Sequence, residues 1–409
     1  MNVKGFHLSY CSNIHPGESW EATFQNLKIY IPEVRQRLKA EGPFGIGLRI
    51  SNEASIELEK PEKLAEFQTW LRKFNAYVFT MNGFPYGDFH RQIVKEKVHF
   101  PDWTTADRRD YTIRSFRILS QLLPEGIAGG ISTSPISYRH WFKSADALNT
   151  GMETATQHLL EVVEQLVLIH RIAGKLMHLD IEPEPDGVLE NSDEIVCLFA
   201  DWLLPKGKPW LAEKFGIAEE EAEKLIKTHI QVCYDVCHFA IVYEEPADTF
   251  AKFEAAGIQI GKIQISAALK VLIPATPNVK FSLGKKLQSF VESTYLHQVV
   301  AKQEDGTLKS YSDLPQALAT LADTKEKEWR IHFHVPVFLE NYGSFSSTQE
   351  TISIVLKEIL FNPEITQHLE VETYTWEVLP EDTRLSLGES IARELSWVIG
   401  EMGEEPGKK

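Results

Sequence analysis

Val232-Cys233-Tyr234-Asp235-Val236-Cys237-His238 decides how the chain is read. Its first half alternates as a strand does, and it leaves a carboxylate and an imidazole three residues apart where the strand should end. Four other strand-like runs deliver Glu182, Gln264, His334 and Glu372 to corresponding positions. Polar side chains gathered at the ends of successive strands are the pattern expected of the C-terminal face of an α/β barrel.

Working outward from that stretch, alternation predicts further strands at residues 5–11, 45–51, 76–81, 126–133, 175–182, 262–266 and 368–373. Helical periodicity separates them. The strongest run, residues 150–172, places Leu159, Val162, Val163, Leu166 and Ile169 at 3.6-residue spacing. Further helices are expected at 19–40, 61–74, 105–123, 191–204, 218–227, 246–256, 348–360 and 386–402. Strands alternating with helices throughout call for a parallel sheet with right-handed crossovers, and eight strands close a (β/α)8 TIM barrel. A doubly wound sheet fits less well, since no Gly-x-Gly-x-x-Gly turn follows the first strand. The whole chain, 1–409, reads as a single barrel domain with an insertion at about 270–328, a lid or an edge decoration. A strand at 329–338 belongs to the long seventh connection, and a polar tail starts near residue 400.

The formal charge of −16 argues against a nucleic-acid surface, which needs clustered Lys and Arg. A small polyol or sugar-like metabolite is the expected partner. Cys11, Cys197, Cys233 and Cys237 are too few and too irregular for a disulfide framework, which points to a reducing compartment. The N-terminus meets polar residues at once, and no run reaches the roughly 20 apolar residues a membrane helix needs. These features predict a cytoplasmic protein without membrane insertion.

The alternation also describes the barrel interior. Strand 175–182 points His178, Asp180 and Glu182 inward, strand 368–373 points His368, Glu370 and Glu372, and strand 262–266 points Lys262, Gln264 and Ser266. Buried charges require partners. Arg49 is the expected partner for Asp180 and Glu370, with His7, His178 and His368 as neutral hydrogen-bonding fillers.

At the strand ends, Glu182, Asp235 and Glu372 would repel one another unless a cation sat between them. One divalent metal is therefore expected, Mn or Mg with mainly oxygen ligands and Zn or Co with more imidazole, held by Glu182, Asp235, Gln264, Glu372, His238 and His334. Cys233 and Cys237 form only a Cys-x-x-x-Cys pair and read as small core residues. The loop from Asn82 to Gly87 offers Asn82, Phe84 and Tyr86 as substrate contacts, the aromatics suiting the apolar face of a polyol, with His332 beside them. His90, Arg91 and Lys95 read as solvated charge rather than phosphate contacts.

With these residues placed, the chain resembles the xylose isomerase-like barrel superfamily of sugar phosphate isomerases and epimerases, to which the endonuclease IV type of repair enzyme (AP endonuclease family 2) also belongs. The resemblance runs through Glu182 in Leu-Asp-Ile-Glu-Pro-Glu-Pro, the Asp-x-x-His of Asp235 and His238, the His-x-His of His332 and His334, and Glu372 in Leu-Glu-Val-Glu. Nearly the whole chain is similar to the EboE-like metabolite traffic proteins, through residues 10–20, 82–87, 233–239 and 370–376. That similarity implies maturation or traffic of a small precursor metabolite. Gln264 departs from the superfamily, where strand seven commonly ends in a histidine ligand. Asn82 and Ser132 or Ser134 stand where repair enzymes use imidazoles.

The expected function is a divalent-metal-dependent isomerase or epimerase of a sugar or cyclitol, with Glu182 and Glu372 passing the proton. Two alternatives stand beside it: a non-catalytic carrier with a degenerate site, motivated by Gln264, and a metal-dependent phosphoester hydrolase.

Overall fold

Apolar side chains alternate with polar or small ones along each strand, so one face is covered by helices while the other fills a polar interior. The computed structural model describes residues 1–87, 95–291, 296–373 and 385–404. Its barrel strands are β1 (Phe6–Tyr10), β2 (Phe44–Arg49), β3 (Ala76–Asn82), β4 (Gly129–Thr133), β5 (Met177–Ile181), β6 (Ile230–Asp235), β7 (Ile260–Ile265) and β8 (His368–Val371). They run parallel in the order β1-β8-β7-β6-β5-β4-β3-β2. Cys11 bridges to Gly47 between the two end strands. There Ser9 Oγ accepts from Gly47 N at 2.7 Å and donates to Gly45 O at 3.0 Å, which completes the (β/α)8 barrel.

The helices stop and start on local chemistry. Ser19, Ser51, Thr105 and Ser144 each cap a helix by accepting an amide N–H of the first turn, and Gly174 ends the 29-residue helix Ala145–Ala173 in the left-handed conformation, with φ 67°. Leu159, Val162, Val163 and Leu166 of that helix are buried, and Ile169 is partly buried against the same core.

The interior is polar, as the alternation predicts, but its charges pair differently. Arg49 does not reach Asp180 or Glu370. It turns outward to Glu18 Oε1 at 3.0 Å and to the carbonyl oxygens of Gly17, Pro85 and Gly87, because β2 ends beside those loops. Glu370 pairs instead with Lys262, at 2.7 Å, and the ammonium also donates to Ser132 Oγ at 3.0 Å. Burial alone would lower the Lys262 pKa, but the Glu370 carboxylate overrides it and holds the ammonium above its ordinary value. Asp180 accepts from His178 Nδ1 at 2.6 Å. Glycine makes the room: a Cβ on Gly47 would lie 1.7 Å from Glu370 Oε1, and one on Gly261 would lie 1.9 Å from Asp180 Oδ1.

The segment after β7 forms a second sheet. It contributes six antiparallel strands in the order Leu308–Tyr311, Val299–Lys302, Glu328–Val335, Ala267–Leu272, Phe345–Ser347 and Asn341–Tyr342. In the central strand Ile331, Phe333 and Val335 are buried on one face, which leaves His332 and His334 together on the other. The register slips between Ile331 and Val335, where these histidines leave the sheet for the barrel mouth. Arg330 Nη1 donates to Ala240 O at 2.6 Å and Gln298 Nε2 to Pro185 O at 3.1 Å, fixing the sheet to the barrel. No helix among the described residues is long and apolar enough to cross a membrane.

Candidate active site

Asp235 ends β6 and caps the helix Val236–Ile241. Its Oδ1 accepts from His238 N at 3.0 Å and from Ser266 Oγ at 2.7 Å, and the cap sets His238 on the first turn, facing the mouth. The other oxygen, Oδ2, is buried without a hydrogen-bond partner. It lies 3.9 Å from His238 Nε2 and 3.8 Å from His334 Nε2.

Three imidazoles meet beside it. His238 Nε2 is 3.0 Å from His332 Nε2 and 3.3 Å from His334 Nε2. The far nitrogen of each ring faces an oxygen: His238 Nδ1 to Pro183 O at 3.0 Å, His332 Nδ1 to Gln298 Oε1 at 2.9 Å, and His334 Nδ1 to Glu372 O at 3.0 Å. Gln298 donates its amide nitrogen to Pro185 O, which fixes its Oε1 toward His332. Each Nδ1 therefore carries the proton, and the Nε2 atoms of His332 and His334 both turn lone pairs toward that of His238. Burial lowers the pKa of all three rings, so protons do not resolve the clash of lone pairs. A cation does. Ligand atoms of a tetrahedral zinc site at about 2.0–2.1 Å from the metal are roughly 3.3 Å from one another, close to the 3.0 and 3.3 Å that separate His238 Nε2 from the other two nitrogens. Three oxygens behind the rings supply the orienting hydrogen bonds that such ligands require.

Asp235 also belongs to a second group, in which ligand oxygens of Glu182, Asp235 and Glu372 lie within 4.8 Å of one another, all buried. Burial, then Glu372 and Asp235, push the Glu182 carboxyl well above its usual range, and one of its oxygens has no partner. Glu372 is pushed up to about 8 by burial and by Asp235, although Asn13 Nδ2 at 2.5 Å and Asn82 Nδ2 at 3.1 Å both donate to its Oε1. Around Asp235 the two groups bring together Glu182, His238, His334 and Glu372, and His332 joins them through His238.

Glu182, His238, His332, His334 and Glu372 open onto a cavity of about 100 Å³, walled on its apolar side by Phe84, Pro85, Val98 and Leu296, with Asp235 behind them. Asn82 and Phe84 line it as expected, whereas Tyr86 does not: its ring packs on Tyr111 and lies 5.6 Å from the Arg108 guanidinium. Gln264 lies in register with Asp235 and Glu370, fully buried, with neither amide atom hydrogen-bonded. Lys95 lines the cavity and pairs with Asp313 of the inserted sheet at 2.7 Å. His90 and Arg91 lie outside the described residues, as do residues 374–376 of the last quoted phrase. Cys233 and Cys237 are buried free thiols, and Cys237 Sγ also falls within ligand reach of His332 and His334.

Several contributors escape sequence reasoning. Asn13 stands in a loop with no periodicity to aim it, and Glu184 and His99 become neighbours only in the fold. Gln298 sits inside the segment whose pattern is weakest.

No protein-family model matches the chain, and no curated protein matches it. Similar solved structures include a 3-keto-D-glucoside 4-epimerase from E. coli in its apo form, at 9% identity and TM-score 0.44 over 96% of this chain and 98% of that one. A xylose isomerase-like TIM-barrel protein from Mycobacterium smegmatis in complex with magnesium is similar at 10% identity and TM-score 0.45, over 96% and 98% of the two chains. The IolI protein with a bound zinc atom is similar at 11% identity and TM-score 0.45, over 97% and 99%. The barrel assignment rests on the strand order of the chain itself, and the metal site on its own donors.

Proposed function

We propose that the protein is a divalent-metal-dependent isomerase or epimerase acting on a sugar, cyclitol or related polyol in the maturation or traffic of a small metabolite. The observation that carries this reading is the meeting of Asp235 Oδ2 with the proton-free nitrogens of His238 and His334, with His332 Nε2 against His238, next to two buried carboxyl groups displaced from their usual range. His238, His332, His334 and Asp235 would hold the cation, and Glu182, Glu372 and the amide of Gln264 are further donors within the mouth. When bound, the cation polarises a carbonyl and its neighbouring hydroxyl.

Proton movement falls to Glu182 and Glu372. A carboxyl group raised above its usual range holds a proton more readily, so it can both take one from carbon and return one. Asn13 and Asn82 hold Glu372 Oε1 in place, and Phe84 and Pro85 keep the neighbouring wall apolar, so that proton exchange with bulk water is restricted.

A second reading is favoured by one feature: Asp235 is shared by the imidazole and carboxylate groups, so each could hold its own cation, and a two-cation site suits phosphoester hydrolysis. Elemental analysis of the purified protein separates the two. One divalent ion per chain, still present in Glu182→Ala while that variant loses solvent deuterium incorporation into a bound polyol, is the outcome expected of the isomerase. Two ions per chain would favour the hydrolase, and an unexchanged, co-purifying polyol would favour a carrier. A metal-free protein in which Glu182→Ala changes nothing would remove the first reading altogether.

A further inference from the structure

On the wall of the same cavity, His99 and Glu184 form a pair that none of the chemistry above uses. His99 Nε2 lies 3.0 Å from Glu184 Oε1, with the two side chains only 1% and 8% exposed. The remaining ring nitrogen, His99 Nδ1, is buried and has no hydrogen-bond partner. Phe84 at 5.4 Å, Tyr138 at 5.4 Å and Trp141 at 6.3 Å surround the ring and hold its plane. A buried polar atom without a partner is destabilising, so an unpaired ring nitrogen beside a cavity is a place for a ligand group.

The chemistry of that group follows from the pair. His99 is a neutral imidazole, since burial and then Arg108 lower it to about 3. If Glu184 is ionised it accepts from Nε2–H, and Nδ1 presents a lone pair. If Glu184 is protonated it donates to Nε2, and Nδ1–H presents a proton. A hydroxyl both donates and accepts, so it satisfies either arrangement through a single atom. A carbonyl, a phosphate or an ammonium satisfies only one.

We propose that His99, oriented by Glu184, is a binding subsite for a substrate hydroxyl next to the carbon that reacts. A Glu184 oxygen lies within 4.8 Å of ring nitrogens of both His238 and His332, which sets the pair beside the imidazole cluster. The ligand is thus a compound with neighbouring oxygens, one turned to the imidazole cluster and the other to His99, its carbon skeleton against Phe84. The proposal rests on the polyol reading above and narrows it.

Calorimetric titration of the Zn²⁺-loaded protein with xylitol tests it, with metal content measured in parallel. His99→Phe fits the aromatic collar and removes both ring nitrogens. Unchanged zinc content with xylitol bound about tenfold or more weakly is the expected result. Xylitol bound within about threefold of wild type overturns the subsite and leaves the polyol reading standing, whereas a wild-type protein that does not bind xylitol overturns both. Should His99→Phe fail to fold, a crystal of the wild-type protein with xylitol decides: a hydroxyl oxygen within about 3.2 Å of His99 Nδ1 supports the subsite, and bound xylitol with no oxygen near that atom overturns it.

Discussion

Asp235 serves two purposes through its two oxygens. Oδ1 caps a helix and accepts from Ser266, whereas Oδ2 faces the three imidazoles and the neighbouring carboxyl groups. An amide in its place keeps an oxygen for the cap and loses the negative charge. Asp235→Asn is therefore expected to fold with stability within about 1 kcal/mol of wild type, since Asn caps as well as Asp. Its affinity for a divalent cation should fall by 10-fold or more, roughly the loss seen when a supporting group of a metal site is removed. Parallel urea unfolding and zinc titration separate the two effects. A variant that binds zinc as tightly as wild type would mean that the imidazoles act without this carboxylate.

Among the elements, the C-terminal helix Leu387–Glu401 carries a buried acid with a structural duty. Glu394 Oε1 accepts from Val337 N at 3.1 Å and from Thr373 Oγ1 at 2.7 Å, linking the inserted segment to the end of β8. Burial raises this carboxyl to about 8. A raised acid holds its proton longer in the folded than in the unfolded chain. Its contribution is therefore fully present below the unfolded pKa near 4.5 and is lost as pH rises toward 8. Glu394→Gln keeps the accepting oxygen and cannot ionise, so it should raise stability at pH 8 by on the order of a few kcal/mol and change little at pH 4.5. Denaturant unfolding at the two pH values reads this directly, and an equal effect at both would contradict it. The inserted sheet is also the element that was hardest to foresee. Ala267–Leu272 follows β7 with only Ser266 between them, so its alternation merges with that of the barrel strand. Most barrel strands were legible, because a period-two run is set off from neighbouring helical periodicity.

For the whole molecule, the candidate cation site joins residues from two separate sheets. Asp235 and His238 come from the barrel, and His332 and His334 from the inserted sheet, so a bound ion would tie one to the other. Ligand binding stabilises the folded state by about 4 kcal/mol when free ligand is a thousand times its dissociation constant. Chelation of the metal-loaded protein is accordingly expected to lower the melting temperature by several degrees, followed by thermal unfolding with and without EDTA. No change in a protein shown to contain metal would place the ion elsewhere. The sequence located Glu182, Asp235, His238, His334 and Glu372 because strand ends are readable from alternation. Asn13, His99 and Glu184 were not readable as partners, since their meeting depends on loop paths and on a sheet inserted late in the chain. The glycines of the barrel carry a consequence of their own. Gly47 and Gly261 leave the volumes that Glu370 and Asp180 fill, so each glycine and its carboxylate make rival claims on one space. Divergence at these positions has to be concerted: a side chain can appear on one strand only where the acid on the other has already shortened or gone.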